Sequence, residues 1–163
     1  MADANDLVLE RILKAPRDLV WQAWTDPEQL KKWWAPKPYE TPECELDLRP
    51  GGIFRARMTG PDGFDTGKGG AGCFLEVVKG ARIVWTSALG PGYRPQALDP
   101  ADCGGFPFTA IVTFEDEGAG RTRYKAVAMH RNQAERDAHE KMGFHEGWGT
   151  CAEQLGGVAA NLR

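Results

Sequence analysis

Residues 133–162 read QAERDAHEKMGFHEGWGTCAEQLGGVAANL, and this stretch decides the fold. From Phe144 onward, large or apolar residues recur at alternating intervals of four and three, which places them on one side of an α-helix. This apolar stripe consists of Phe144, Trp148, Cys151, Leu155, Val158 and Leu162. An amphipathic helix must cover such a stripe, so the preceding chain has to provide a broad apolar surface. The pattern predicts a long C-terminal helix packed on a β-sheet.

The first half of this predicted helix contains three glycines, at positions 143, 147 and 149. In a helix interior each glycine costs about 1 kcal/mol relative to alanine. They indicate a bend, or a close approach of the backbone to a neighbouring element. We expect residues 142–148 to border a cavity and residues 151–162 to anchor the helix on the core.

The clearest strand pattern lies in residues 39–49, where apolar and charged residues alternate. Cys44 and Leu46 point one way and the acidic residues between them point the other, which is typical of a sheet with one face in water. Pro50-Gly51-Gly52 supplies a turn, and residues 53–59 return with the same alternation. The two segments are therefore predicted to form an antiparallel hairpin.

The remaining elements are separated by proline and glycine turns. Ala15-Pro16 ends a first strand, and Asp26-Pro27 begins a short helix with Asp26 as its N-cap. We predict a strand at 7–14, helices at 17–25 and 27–33, and further strands at 66–78, 82–89, 107–115 and 121–131. The glycine run between 67 and 72 is interpreted as a bulge in the sheet. The sequence thus predicts one α+β domain, residues 1–163, with about seven antiparallel strands in the order β-α-α-β(6)-α.

Charge and hydropathy narrow the classes of partner. The chain has 20 basic and 23 acidic residues and a net charge of -3, which gives no electrostatic reason to expect nucleic acid or an anionic membrane. The N-terminus lacks a signal-peptide pattern, and no apolar stretch is long enough to span a bilayer. We expect a cytoplasmic protein with neither a nucleic-acid nor a membrane partner.

The sequence contains no recognisable catalytic or metal-binding set. His139-Glu140 begins an HExxH string, but position 143 is glycine where the second histidine would stand. The four cysteines form no CxxC pair. We therefore predict no metal, no cofactor and no assigned catalytic residue. Acid–base chemistry by His130 with Tyr124 stays open as an alternative.

Residues 90–106 form the longest irregular segment, with three prolines and four glycines. This composition argues against any helix or strand within it. Loops of this length in a compact domain are often functional, so we interpret the segment as a candidate lid. It carries Tyr93 and Cys103, and Cys103 is the cysteine that we expect to be the most reactive thiol.

Three strings in the sequence carry a resemblance to a known family. They are APRDLVWQAWTDPEQLKKWWAP at 15–36, DLRPGGIF at 47–54 and HEKMGFHEGWGTCAEQL at 139–155. Together with the element order, they resemble the helix-grip superfamily of START and birch-pollen-allergen-like proteins, also called SRPBCC. The chain is most similar to short bacterial members of the heat-shock-protein-90 ATPase activator homologue family.

The resemblance implies a curved sheet that grips the C-terminal helix, with a cavity between them that holds a small apolar molecule in many relatives. The eukaryotic activators contact the chaperone through a separate N-terminal domain, for which this chain has no room. That difference puts chaperone contact in doubt. The resemblance carries over no fixed catalytic set.

The residues expected to line the cavity combine apolar and polar side chains, which suits a small, partly apolar or aromatic ligand. The candidates are Phe54, Met58, Tyr93, Tyr124, His130, Met142, His145 and Trp148. The same residues could instead fill an ordinary core. The leading hypothesis is a ligand-binding protein. The alternatives are an enzyme of the polyketide cyclase or aromatase type, and an interaction protein that contacts a chaperone or forms a homodimer through a sheet edge or the end bearing Trp33-Trp34.

Overall fold

A seven-stranded antiparallel sheet forms the framework of the structure, a computed structural model that describes residues 3–67, 71–98 and 105–162. The strands, in chain order, are β1 (Asp6–Leu13), β2 (Glu40–Leu46), β3 (Ile53–Thr59), β4 (Gly72–Val78), β5 (Arg82–Thr86), β6 (Leu89–Gly90), β7 (Arg94–Pro95), β8 (Phe108–Gly118) and β9 (Arg121–His130). The main sheet has the spatial order β1-β9-β8-β5-β4-β3-β2, and β6 pairs with β7 separately. The main sheet curls into a half-barrel with β1 and β2 at its edges.

The β2–β3 hairpin confirms the alternation predicted from sequence. Leu46 lies opposite Phe54, and this inner side of the hairpin turns toward the core. On the outer side, Arg55 Nη1 lies 3.1 Å from a carboxylate oxygen of Glu43. The ladder is irregular between Glu40 and Glu43, close to the start of the edge strand.

Four helices accompany the sheet: α1 (Arg17–Thr25), α2 (Pro27–Leu30), α3 (Gln133–Lys141) and α4 (Phe144–Ala160). Asp26 caps α2 as predicted, because its side chain accepts a hydrogen bond from the Glu28 N–H at 3.0 Å. The helix is shorter than expected: it ends at Leu30, and the chain continues through turns past Trp33. Trp33 is 2% exposed, so at least one of the two adjacent tryptophans is a packing residue. None of the helices in the described part of the chain is long and apolar enough to cross a membrane.

The C-terminal stretch forms two helices instead of one continuous helix. Gly143 separates α3 from α4 with φ +95°, a left-handed conformation that glycine adopts readily and other residues avoid. The predicted bend lies at this residue. The predicted close approach lies at Gly149, where an added Cβ would be 2.8 Å from Arg11 Nη2 of β1. The α+β helix-grip fold is confirmed, with α4 packed on α1 and β1.

One expectation about residues 90–106 is wrong. The segment was predicted to contain no strand, yet Gly90 and Arg94 pair in the small antiparallel β6–β7 sheet. A turn of 3-10 helix at Pro91–Tyr93 joins the two strands, and a short hairpin of this kind accommodates glycine and proline at its tip. Cys103 and the rest of 99–104 lie outside the described residues.

Candidate ligand-binding site

Six large rings cover one half of the sheet's inner face. We call them the aromatic layer: Trp24, Trp33, Trp34, Phe54, Phe74 and Trp85. Phe54 of β3 lies at its centre, with its ring centroid 4.9 Å from that of Trp85 and 5.1 Å from that of Trp34. Edge-to-face and offset contacts of this kind add to the stabilisation that burial of the rings provides. The layer brings α1, the turns after α2, and strands β3, β4 and β5 into one apolar wall.

Helix α4 holds the tryptophan-bearing turns in place through two side chains. Gln154 donates from Nε2 to the carbonyl oxygens of Trp33 at 3.0 Å and Ala35 at 2.9 Å, and its Oε1 accepts from the Lys37 N–H at 3.3 Å. One turn earlier, the Cys151 thiol donates to the Trp34 carbonyl oxygen at 3.1 Å. These bonds satisfy backbone groups that no helix or strand would otherwise pair. Sequence periodicity gave no sign of them.

Trp85 has a buried donor that lacks an acceptor. Its side chain is 7% exposed, and its indole Nε1 makes no hydrogen bond within the described residues. The rings of Phe54 and Phe108 lie 4.9 and 5.3 Å from it, centroid to centroid. An unsatisfied buried donor costs roughly 1–3 kcal/mol. A hydrogen-bond acceptor brought to this wall would remove that cost.

Two further polar groups lie near the layer, and burial raises the pKa of both. Trp24 Nε1 donates to the Tyr124 hydroxyl at 3.3 Å, and burial raises the pKa of Tyr124 above its ordinary value. Burial also raises the pKa of the Cys151 thiol to about 12. At neutral pH these groups therefore act as hydrogen-bonding groups and carry no charge.

Two histidines form a buried pair at the end of β9. His130 Nδ1 lies 2.8 Å from the Asn5 carbonyl oxygen, and His130 Nε2 lies 2.8 Å from His139 Nδ1. Because a carbonyl only accepts, His130 donates from Nδ1 to Asn5. In the tautomer that carries its single proton there, His130 Nε2 accepts from His139 Nδ1. The pKa of His139 is lowered to about 4. Burial is the larger cause, and the neighbouring His130 is the smaller one. The ring of Phe108 lies 4.9 Å from that of His139, which connects the pair to the aromatic layer.

The predicted lining residues fall into two groups. Phe54, Tyr124 and His130 are buried, and the half-buried Trp148 packs on Phe144 with ring centroids 4.6 Å apart. Met58 is half-buried on β3. The other candidates are exposed: Tyr93, Met142 and His145.

The exposed candidates have local roles of their own. Tyr93 covers the β2–β3 turn, since a Cβ at Gly51 would meet its ring at 2.9 Å. His145 Nε2 lies 2.9 Å from Glu140, and this hydrogen bond lowers the pKa of the Glu140 carboxyl. The structure does not bring these side chains to the aromatic layer. A role for residues 142–148 beside a cavity stays a prediction.

Two open grooves lie on the surface, and neither is lined by a ring of the aromatic layer. One of about 560 Å³ lies between the end of α2 and the start of β2, and one of about 370 Å³ lies beside the β2–β3 turn and Tyr93. Within the described ranges, no group of three or more histidine, cysteine or acidic side chains is arranged to hold a metal ion.

The curled sheet, the C-terminal helix and the apolar wall between them define a helix-grip protein. The chain belongs to the family described as activator of Hsp90 ATPase homolog 1-like protein, whose sequence profile matches residues 14–160. This confirms the resemblance seen in the three sequence strings. Members of the family often bind ligands in a hydrophobic cavity.

Solved structures of bacterial proteins agree with this assignment. A protein from Nitrosomonas europaea is 43% identical, with 98% of this chain and 97% of that chain covered and a TM-score of 0.87. A protein from Mycobacterium smegmatis is 26% identical, with 99% and 94% covered and a TM-score of 0.75. An AHSA1-like protein from Aeromonas hydrophila, 21% identical with 95% and 92% covered and a TM-score of 0.64, shares the fold. Among curated proteins, none matches this sequence.

Proposed function

We propose that this protein binds a small, partly apolar ligand between the inner face of the sheet and α4. The observation that carries the proposal is the buried indole N–H of Trp85, which has no acceptor among the described residues although it lies in an apolar wall. Ligand sites are typically apolar with a few polar groups that fix orientation. That family members often bind ligands in a hydrophobic cavity supports ligand binding in general.

The wall extends from the aromatic layer toward β2. Trp34, Leu46 and Leu48 pack against the core but remain partly exposed. This partly exposed apolar surface adjoins the buried rings and is where we expect a ligand to enter. Phe54 and Trp148 are the predicted side chains best placed to contact it.

The chemistry of the wall favours an aromatic molecule that carries one hydrogen-bond acceptor, such as a carbonyl oxygen. The rings offer edge-to-face contacts to a flat ligand, and Trp85 offers one donor to its oxygen. Tyr124 and Cys151 are neutral with raised pKa values, so neither is suited to remove a proton at neutral pH. Binding without chemistry is therefore better supported than the cyclase or aromatase alternative.

A matched pair of ligands tests this proposal. 2-Acetylnaphthalene carries the acceptor, and 2-ethylnaphthalene has a similar shape without it. We expect the ketone to bind saturably and to shift the Trp85 indole resonance in ¹H–¹⁵N spectra. Trp85→Phe should weaken ketone binding about tenfold, the effect of one hydrogen bond to a buried donor, and should leave the hydrocarbon unaffected.

Trp21→Phe is the control, because Trp21 packs against Phe114 and lies outside the aromatic layer. It should change neither affinity. No saturable binding by either compound, with no thermal shift across a broader panel of aromatic ketones, would exclude the proposal. Equal loss in the two variants would show that the effect is not specific to Trp85.

A further inference from the structure

The larger surface groove has a charge opposite to that of the whole molecule. We call it the lysine groove; its lining includes Lys31, Lys32, Lys37, Tyr39, Glu40 and Thr41. Three lysines and one glutamate therefore line a space of about 560 Å³, with Glu28 beside Lys31, whereas the chain as a whole carries a net charge of -3. A local excess of positive charge attracts anions even when the net charge does not.

The three lysines are not all engaged by other groups. Lys31 forms an exposed ion pair with Glu28 at 2.7 Å, and the Lys32 ammonium donates to the Gln29 side chain at 3.1 Å. Within the described residues, the Lys37 side chain makes neither a hydrogen bond nor an ion pair; only its backbone N–H is bonded, to Gln154. Exposed pairs of this kind are weak, so an incoming anion can compete for these lysines.

A buried hydroxyl in the lining gives an independent indication of a ligand. Thr41 is 4% exposed, and its Oγ1 has no hydrogen-bond partner among the described residues. The ladder irregularity between Glu40 and Glu43 includes this residue. A buried hydroxyl without a partner is costly. The Oγ1 atom is closed off from solvent in the free protein, so an anion's oxygen can become its partner only if the Thr41 side chain turns outward.

One wall of the groove is an aromatic ring held in a fixed orientation. The Tyr39 ring packs so closely on Gly60 that a Cβ there would overlap it. On another side it meets Phe64 edge to face, with ring centroids 5.4 Å apart. Tyr39 is still 36% exposed, so part of the ring remains accessible to a flat ligand.

We infer that the lysine groove is a second binding site, which takes the carboxylate or phosphate of a ligand with a flat aromatic body. The lysines attract the anion, the Tyr39 ring contacts the apolar body, and the Thr41 hydroxyl, which is shielded from solvent in the free protein, donates to the anion once its side chain turns outward. The site is separate from the aromatic layer, because the two have no lining residue in common. It also needs no cofactor or metal.

The inference is tested with 2-naphthoate, 2-naphthyl phosphate and the neutral 2-naphthamide. We expect at least one of the two anions to bind saturably, to shift the backbone amides of Tyr39 and Thr41, and to bind more weakly as salt is raised. The neutral amide should not bind there. Equal binding of the amide would overturn the inference, as would shifts confined to Trp85, which would assign the anion to the interior site.

Two triple variants distinguish the effect of the groove lysines from a general effect of the protein's positive charge on anion binding. The groove variant combines Lys31→Gln, Lys32→Gln and Lys37→Gln. It should weaken anion binding at least about tenfold, since each exposed ion pair contributes up to about fivefold. The control variant combines Lys14→Gln, Lys79→Gln and Lys141→Gln, which removes the same charge elsewhere on the protein. It should change the affinity for the anion less than about twofold. Equal loss in both triples would overturn the inference.

Thr41→Val tests the hydroxyl without a change of shape large enough to threaten folding. It removes a buried polar group that has no partner, so thermal stability should stay the same or rise, while anion affinity should fall about threefold or more. Unchanged affinity would contradict the role of Thr41. Trp85→Phe should leave anion binding unchanged, so a failure of the interior site and a failure of this site give different results.

Discussion

The two halves of the sheet's inner face are covered differently. Over β1, helix α4 comes close and places Gly149 and Gly156 at the contact. Strands β8 and β9 carry both small buried side chains such as Ala126 and rings such as Phe114. Over β3, β4 and β5 the cover is the aromatic layer, centred on Phe54.

The difference follows from the distance between helix and sheet. Gly149 and Gly156 lie where α4 meets β1, and a Cβ at Gly156 would be 3.4 Å from Leu13 Cδ2. The close approach of α4 to β1 favours small residues at these two helix positions, whereas the space over β3, β4 and β5 is filled by large rings, as native packing density requires. Rings that fill a space between elements are also the groups a ligand can contact, and this is why we place the ligand in the aromatic half.

The largest expected effect is that of Phe54→Ala, which removes the centre of the aromatic layer. Phe54 is 4% exposed, and loss of a buried phenylalanine side chain costs about 3–5 kcal/mol of unfolding free energy. Urea denaturation measures this directly. If the aromatic half is a potential ligand space, the variant should also bind 2-ethylnaphthalene more tightly, because an apolar cavity accepts apolar molecules.

Phe64→Ala is the matched control, since Phe64 is 41% exposed and packs mainly on Tyr39. It should cost less than about 1 kcal/mol. A cost for Phe54→Ala as small as that of the control would mean that the aromatic layer does not stabilise its half of the sheet.

The second effect concerns pH and the histidine pair at the boundary between the halves. The folded-state pKa of His139 is about 4, below its usual 6.5, so the folded protein favours the neutral ring. Above pH 6.5 the ring is neutral in both states. As pH falls from 6.5 to 4 only the unfolded chain takes up the proton, and stability decreases by about 3 kcal/mol. Below pH 4 this residue contributes no further loss.

His139→Asn tests the assignment. The asparagine amide can still donate toward His130 but does not titrate, so the variant is less stable at pH 7 through lost packing, yet its stability falls less between pH 7 and pH 4. Denaturation at the two pH values gives the difference, and other acidic groups cancel in the comparison. The same pH dependence in both proteins would contradict the pKa of His139.

These two predictions rest on features that the sequence revealed to different degrees. The apolar stripe and the alternation in residues 39–49 predicted the helix and the hairpin, because each pattern is local. The family came from the resemblance of the three sequence strings. The aromatic layer joins rings from Trp24 to Trp85 across five segments of the chain, and no periodicity reports contacts at such separations. The histidine pair was missed for a related reason. His139 was compared with helical metal motifs along its own segment, while its partner His130 lies at the end of β9.

The smallest expected effect tests how closely α4 approaches β1. Gly157 is exposed, and an added Cβ there would meet nothing within 4 Å, so Gly157→Ala should gain the full helix preference of alanine, about 1 kcal/mol. Gly156 is its neighbour with the same intrinsic preference, and its methyl group would make an ordinary van der Waals contact with Leu13 Cδ2 at 3.4 Å. Gly156→Ala should therefore gain slightly more than Gly157→Ala, and the difference between the two melting temperatures should be a few degrees at most. Because the two substitutions are chemically identical, that difference measures the contact of α4 with β1 alone. Equal gains would mean that α4 lies farther from β1, and the contrast between the two halves would then have to come from side-chain size without a difference in helix distance.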